Sequence, residues 1–187
     1  MTYAMRVGLS VAAAPPVRLQ GNHTNVTFHS NATMYTEFGW SATEEGVVLG
    51  AFFQGYIVTQ TISAVLARRY GGKKVLAASM ACSCVLTWLT PVVAASMPLL
   101  VACRVCLGLM QGAAYPATLT LVGKWYTAAE RASFLGFIIA GPYLGEALTF
   151  PLAPLVMQTA GWRYIFYLLS LIGAVWLVFF VSLVRFL

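Results

Sequence analysis

The stretch Cys103–Trp125, CRVCLGLMQGAAYPATLTLVGKW, decides the fold class. Its length suits a helix that crosses a bilayer, because a span takes about 20 mostly apolar residues rising about 1.5 Å each. An arginine, Arg104, nevertheless stands inside the apolar run. A permanent cation in hydrocarbon needs a physical reason.

The rest of the chain is of the same kind. Of its 187 residues, 60% are hydrophobic, 9% are charged and none is aspartate, a composition that excludes a water-soluble domain. Uncharged windows run over Gly46–Ala67, Val75–Cys103, Val105–Gly123 and Tyr164–Val184, and Ala132–Gly145 continues past a lone Glu146 to Trp162. Val75–Cys103 holds one span and the start of another, so Ala95–Pro98 marks a turn. The second to sixth spans are therefore expected at 46–67, 75–95, 98–123, 132–156 and 164–184. The N-terminal stretch MTYAMRVGLSVAAAPP is apolar but too short to cross before Pro15 and Pro16 stop it. It reads either as a signal peptide, with Arg6 as its basic region and Ala12–Ala14 as the cleavage site, or as the outer part of a first span, helical over about 1–14.

Both readings place the following loop, 17–45, on the non-cytoplasmic side. Three glycosylation sequons clustered there, at Asn22, Asn25 and Asn31, agree. The next turn carries Arg68, Arg69, Lys73 and Lys74, the turn after the fourth span carries Lys124 and Arg131, and Arg185 follows the sixth span. These positions satisfy the positive-inside rule, with Arg18 and Arg163 as the basic residues left outside. The net charge of +6 thus reflects topology, and loops this short offer no basic surface for nucleic acid.

Other chemistry is sparse. Cys82, Cys84, Cys103 and Cys106 all fall within spans and read as small buried helix residues rather than a disulfide framework or a redox or metal pair. His23 and His29 read as solvated residues of the outer loop. No nucleophile–base set, phosphate-cradling loop or metal-ligand spacing points to an enzyme, a cofactor or a metal.

Helix packing and buried polarity are better represented. Gly108-x-x-x-Gly112 and Gly141-x-x-x-Gly145 have the spacing that lets helix backbones approach closely. Pro142 frees the carbonyl of Ile138 and makes the fifth span a candidate for bending. In the fourth span Arg104, Gly108, Gln111 and Tyr115 share one face; Tyr56, Gln60 and Ser63 form a similar stripe in the second; the first presents Arg6 and Ser10 and the fifth Glu146. Counted from the outer ends, Arg104 lies about 9 Å deep, Arg6 about 12 Å and Glu146 about 15 Å. Two arginines and one carboxylate then share a layer. Glu146 is able to neutralise one arginine as a structural pair, which leaves a second cation whose planar fork suits an anionic ligand.

Several blocks carry a resemblance: FFQGYIVTQ from Phe52, RRYGGKKV from Arg68, RVCLGLMQGAAYPA from Arg104, KWYTAAERAS from Lys124 and GWRYIFYLLSLIGAVW from Gly161. In this order they resemble the anion:cation symporter family of the major facilitator superfamily, which includes sialin, the vesicular glutamate and nucleotide transporters and the type I sodium/phosphate cotransporters. MRVGLSVA from Met5 is similar to that family's first helix and favours the truncated span over the signal peptide. The resemblance implies an all-α membrane protein, residues 1–187 forming the N-terminal six-helix bundle of a transporter, its first helix truncated, whose C-terminal half lies elsewhere.

The same resemblance implies that Arg6 and Arg104 meet the substrate anion and that the RRYGGKK turn closes the cytoplasmic gate. Here the chain departs from the pattern, with Ala64 in place of a usual glycine and Arg68 in place of a usual aspartate. Gln111 replaces a glutamate common among members, Met5 replaces an acid found in some bacterial ones, and Leu49 replaces a histidine of glutamate-carrying members. Glu146 is then the carboxylate left for ion coupling. The expected function is secondary active transport of a small organic anion or phosphate by alternating access. Arg6 and Arg104 would hold the anion, Tyr56, Gln60, Gln111 and Tyr115 would supply neutral hydrogen bonds, and Glu146 would serve a coupling proton or sodium ion. A half-length membrane protein that transports nothing and acts as a structural or regulatory partner is the alternative. The compartment expected is a plasma, vesicular or lysosomal membrane of the secretory pathway.

Overall fold

The computed structural model describes Ala12 and residues 37–183. Arg6, Ser10, Arg18, the sequons at Asn22, Asn25 and Asn31, and Arg185 lie outside the described residues. Within them the chain forms six helices: α1 (Ala42–Tyr70), α2 (Gly72–Val93), α3 (Met97–Gly112), α4 (Ala114–Trp125), α5 (Ala128–Ala160) and α6 (Trp162–Leu183). With α3 and α4 taken together as Met97–Trp125, five helical segments are long and apolar enough to cross a membrane.

The helices run longer than the uncharged windows because charged residues at the span ends are helical too. Arg68 and Arg69 occupy the last turn of α1, where cations complement the helix dipole. A single residue, Gly71, reverses the chain into α2 at φ 91°, and Gly161 does the same between α5 and α6 at φ 95°. Only glycine adopts such angles without strain, which lets these turns shrink to one residue.

The fourth span is not one helix. It breaks at Ala113, four residues after Leu109 and three before Pro116. Pro116 has no N–H to give to the carbonyl of Gly112, and its ring crowds that carbonyl, so the ladder stops there and restarts at Ala114. The Ala113 N–H turns instead to the carbonyl of Met110, at 3.3 Å, a tighter turn than an α-helix makes. Three prolines, Pro142, Pro151 and Pro154, lie inside α5 without ending it. Several hydroxyls inside the spans bond to carbonyls of their own helices, as Thr90 does to Leu86 at 2.9 Å and Thr149 to Gly145 at 2.6 Å, which lowers the cost of a polar group in hydrocarbon.

The helices alternate up and down between two ends. At one end Trp40, Val48, Leu100, Met157, Trp162 and Phe166 pack together with Ala12, which is helical and fully buried. At the other, Ala67, Leu76, Met80, Ala117 and Leu121 pack near the basic residues of the α1–α2 and α4–α5 turns. Between these clusters α1 and α3 cross in direct backbone contact. A Cβ on Gly55 would lie 2.2 Å from the Val105 carbonyl oxygen, and one on Gly108 would lie 2.0 Å from that of Phe52. Gly108 and Gly112 thus act as the packing interval that their spacing predicts. Gly141 and Gly145 do not, since a Cβ on either meets nothing within 4 Å among the described residues.

Two further contacts tie α2 to its neighbours. The Ser170 hydroxyl of α6 donates to the Cys84 carbonyl at 2.9 Å, and the Cys103 thiol of α3 donates to the Leu86 carbonyl at 3.6 Å. Cys84 and Cys103 are buried, whereas Cys82 and Cys106 are exposed, so only half of the cysteines are core residues. For Cys82 and Cys84 the reason is helical geometry, since positions two apart point to different sides of a helix.

Candidate functional site

Arg104 lies seven residues into α3 and is 2% exposed. A cation at such depth costs about 2.5–3.5 kcal/mol on insertion scales unless its surroundings compensate. Compensation from a carboxylate is absent. All five acidic side chains are among the described residues, and none forms an ion pair with Arg104. What does meet the guanidinium is the ring of Phe166 on α6, whose centroid lies 5.8 Å from Cζ. Nε and Nη2 of Arg104 are buried without a hydrogen-bond partner among the described residues. The site is therefore a desolvated cation with open donor positions, supported on one side by an aromatic ring.

The alternative in which Glu146 neutralises Arg104 is not met, since no ion pair joins the two, and helix length accounts for their separation. α5 extends to Ala160, so Glu146 lies about 21 Å from that end while Arg104 lies about 10 Å from the equivalent end of α3. The two charges no longer share a layer. Glu146 is half-buried on α5, which is the most exposed of the long helices.

The neutral residues divide. Gln111 is buried and engaged with a neighbour, and the backbone of Tyr56 and Gln60 passes directly over Gly112, with the Tyr56 carbonyl oxygen 2.6 Å from where a Cβ would stand. Tyr56 is half-buried and its ring stacks on Phe52 at 5.9 Å. Gln60 is exposed, while Ser63 one turn on is fully buried and donates to the Gln60 carbonyl at 3.1 Å. Tyr115 was placed on the Arg104 stripe by spacing alone. It lies beyond the break at Ala113, and its ring is 38% exposed. The stripe is continuous as far as Gln111. Arg6 lies outside the described residues.

Sequence reasoning did not single out the group around Phe166. Trp162 meets Phe166 edge to face at 5.9 Å and 87°, and Phe38 meets Trp162 at 6.2 Å and 70°. The Trp162 indole N–H donates to Glu37 at 2.7 Å, and Glu37 also pairs with Arg163, whose guanidinium lies 4.9 Å from the Trp162 ring. That ion pair offsets the charge of Arg163, one of the basic residues that the charge rule had left on the outer side. The i, i+4 spacing of Trp162 and Phe166 was a visible signal. What the two rings face depends on tertiary packing.

At the basic end, Ala64 and Arg68 of α1 line a groove of about 380 Å³ with Pro116, Leu119 and Thr120 of α4. The two departures from the gate pattern thus sit in one place. In the α4–α5 turn, Arg131 donates to the carbonyls of Tyr126 at 3.1 Å and Gly123 at 2.6 Å, closing the end of α4. Glu130 accepts from the Thr127 hydroxyl at 2.7 Å and from its N–H at 3.0 Å, and these bonds hold its carboxyl below the usual carboxylate value.

Comparison with known proteins places this arrangement in a family. Human sialin is 32% identical over 198 residues, covering 98% of this chain and 40% of its own length. "Probable anion transporter 4, chloroplastic" of Oryza sativa subsp. japonica is 35% identical over 144 residues, covering 76% of this chain and 24% of its own. "Sodium-dependent phosphate transport protein 1, chloroplastic" of Arabidopsis thaliana is 34% identical over 145 residues, covering 77% of this chain and 28% of its own. The chain thus spans between about a quarter and two-fifths of the length of these relatives. Residues 21–186 match the family model described as Major Facilitator Superfamily. The chain is a multi-pass, all-helical membrane protein that belongs to the Major Facilitator Superfamily, a family of transporters rather than enzymes.

Proposed function

We propose that this chain is the N-terminal six-helix half of a secondary active transporter that moves a small organic anion or phosphate by alternating access. The observation that carries the reading is Arg104, a desolvated arginine with no carboxylate partner and, among the described residues, two nitrogens without a hydrogen-bond partner. An anionic substrate fits that deficit, because a guanidinium binds carboxylate or phosphate through paired N–H groups. The relatives named for anion and phosphate transport support the same class. Arg6 is the second cation of the site, and Gln111 with Tyr56 supplies neutral hydrogen bonds beside it; Gln60, exposed on α1, and Tyr115, past the break on α4, complete the neutral set. Reconstituted with both halves present, the transporter is expected to take up labelled inorganic phosphate or glucuronate saturably. A folded, correctly inserted protein that moves neither these nor any other small anion would favour a non-transporting partner role.

Glu146 is the coupling carboxylate in this reading, since it is the acidic residue deepest in a span and is free of Arg104. Glu146→Gln should flatten the dependence of anion uptake on pH while leaving counterflow of the anion intact. Normal uptake with an unchanged pH profile would remove Glu146 from that role.

The basic end faces the cytoplasm and the Trp162 end faces outward, on the strength of the arginines and lysines gathered at the former. Enzymatic removal of N-glycans should then increase the mobility of the protein expressed in a secretory cell. A glycosylation tag accepted at Lys73, with Asn22, Asn25 and Asn31 unmodified, would reverse the orientation.

A further inference from the structure

We infer that Phe166 is the positioning residue of the anion site, holding the Arg104 guanidinium by its ring face so that the N–H fork stays available to the substrate. The inference rests on the reading of Arg104 as the anion-binding group.

A buried arginine in a transport protein faces two opposing demands. Its charge needs support while the site is empty, yet a carboxylate that gave that support would also occupy the fork the substrate must use. An aromatic face meets both demands. Its quadrupole attracts the cation when desolvated, and it has no lone pair that competes for the N–H groups. The geometry around Arg104 has this form: the ring centroid is 5.8 Å from Cζ, while Nε and Nη2 remain without partners.

The ring itself is held in place. Phe166 is fully buried, and Trp162 one turn earlier abuts it edge to face at 5.9 Å. Trp162 is fixed in turn by its 2.7 Å hydrogen bond to Glu37 and by the edge of Phe38 at 6.2 Å. A continuous set of contacts therefore runs from the segment before α1, through the start of α6, to the arginine of α3. Phe166 acts through Arg104 and has no need to touch the substrate.

The test compares variants of the intact transporter for uptake of inorganic phosphate and glucuronate, with membrane level and thermal stability measured alongside. Phe166→Leu should raise KM on the order of tenfold, with the maximum rate per delivered molecule changed little, and Phe166→Tyr should restore the parent's KM. Ile165→Ala, a core truncation at the adjacent position, should lower thermal stability without moving KM. Should Phe166→Leu not reach the membrane, replacing Phe166 by mono-, di- and trifluorophenylalanine decides the matter. Fluorine drains the ring face of negative charge at nearly constant shape, so KM should climb with each added fluorine. A flat fluorine series, or an unchanged KM in Phe166→Leu, while Arg104→Gln has lost binding, would overturn the positioning role and leave the arginine's role standing. An Arg104→Gln variant that binds the anion as the parent does would instead overturn the reading of the site itself.

Discussion

Replacing Arg104 by lysine or by glutamine in the intact transporter is expected to remove most saturable anion uptake while the protein still folds and reaches the membrane. Breaking one partner of a desolvated, hydrogen-bonded charge pair costs about 2–5 kcal/mol, which corresponds to roughly thirtyfold to several thousandfold in affinity. Lysine keeps the charge but not the planar fork, so it should recover little of the loss. Folding should survive in both variants, because Arg104 holds no carboxylate in place and its Nε and Nη2 hold no carbonyl among the described residues. For the same reason Glu146→Gln should not rescue either one. Degradation of both variants, reversed by neutralising Glu146, would show that the arginine is a structural cation instead.

The second large effect concerns the crossing of α1 and α3. Gly108→Ala should sharply destabilise the bundle, since the added carbon would stand 2.0 Å from the Phe52 carbonyl oxygen and 2.9 Å from the Tyr56 nitrogen. Both are backbone atoms, so no side chain can rotate away and the two helices must separate. Overpacking of this kind typically costs about 1–3 kcal/mol, and with backbone on both sides the upper end applies. Gly55→Ala should behave alike, its Cβ meeting Val105 at 2.2 Å. Gly46→Ala, on α1 in open space, serves as the control and should be neutral or stabilising by about 0.5–1 kcal/mol. Thermal denaturation of the detergent-solubilised protein, followed by the surviving monodisperse fraction, measures all three. Equal midpoints for Gly108→Ala and Gly46→Ala would show that the crossing tolerates an extra carbon and that its closeness is not what holds the bundle.

Much of the architecture was legible because a bilayer leaves few options. Hydrocarbon length fixes the number of spans, and charge fixes where they end, so five membrane-length segments could be found from apolar runs alone. The glycine interval of α3 was legible for a similar reason, since Gly108 and Gly112 have no evident use in a helix except close approach. An identical interval in α5 meets nothing within the described residues, so spacing reveals the capacity for contact and not the contact. The break at Ala113 was written in Pro116 but masked by the apolar continuity of the run. It also explains why a strict helical count carried the polar stripe too far, to Tyr115.

Arg104 itself stood out from sequence because a cation in a span is conspicuous. Its surroundings did not. A ring such as Phe166 looks like any other apolar residue of α6 until α6 is placed against α3, and Glu37 lies 125 residues from the indole it binds. The alternative in which Glu146 neutralises Arg104 is not met, and four residues of α5 beyond the expected span end put the carboxylate about one turn further from that end than the sequence count gave.

The central claim is that Arg104 binds an anion, and the most direct test is binding itself, measured apart from transport. Titrating inorganic phosphate and glucuronate into the purified, intact transporter should raise its thermal midpoint in a saturable way, as a ligand that binds only the folded state must. The account predicts that this shift disappears in Arg104→Gln and is greatly weakened in Arg104→Lys, at unliganded midpoints close to the parent's. A saturable shift of parental size and concentration dependence in Arg104→Gln would contradict it.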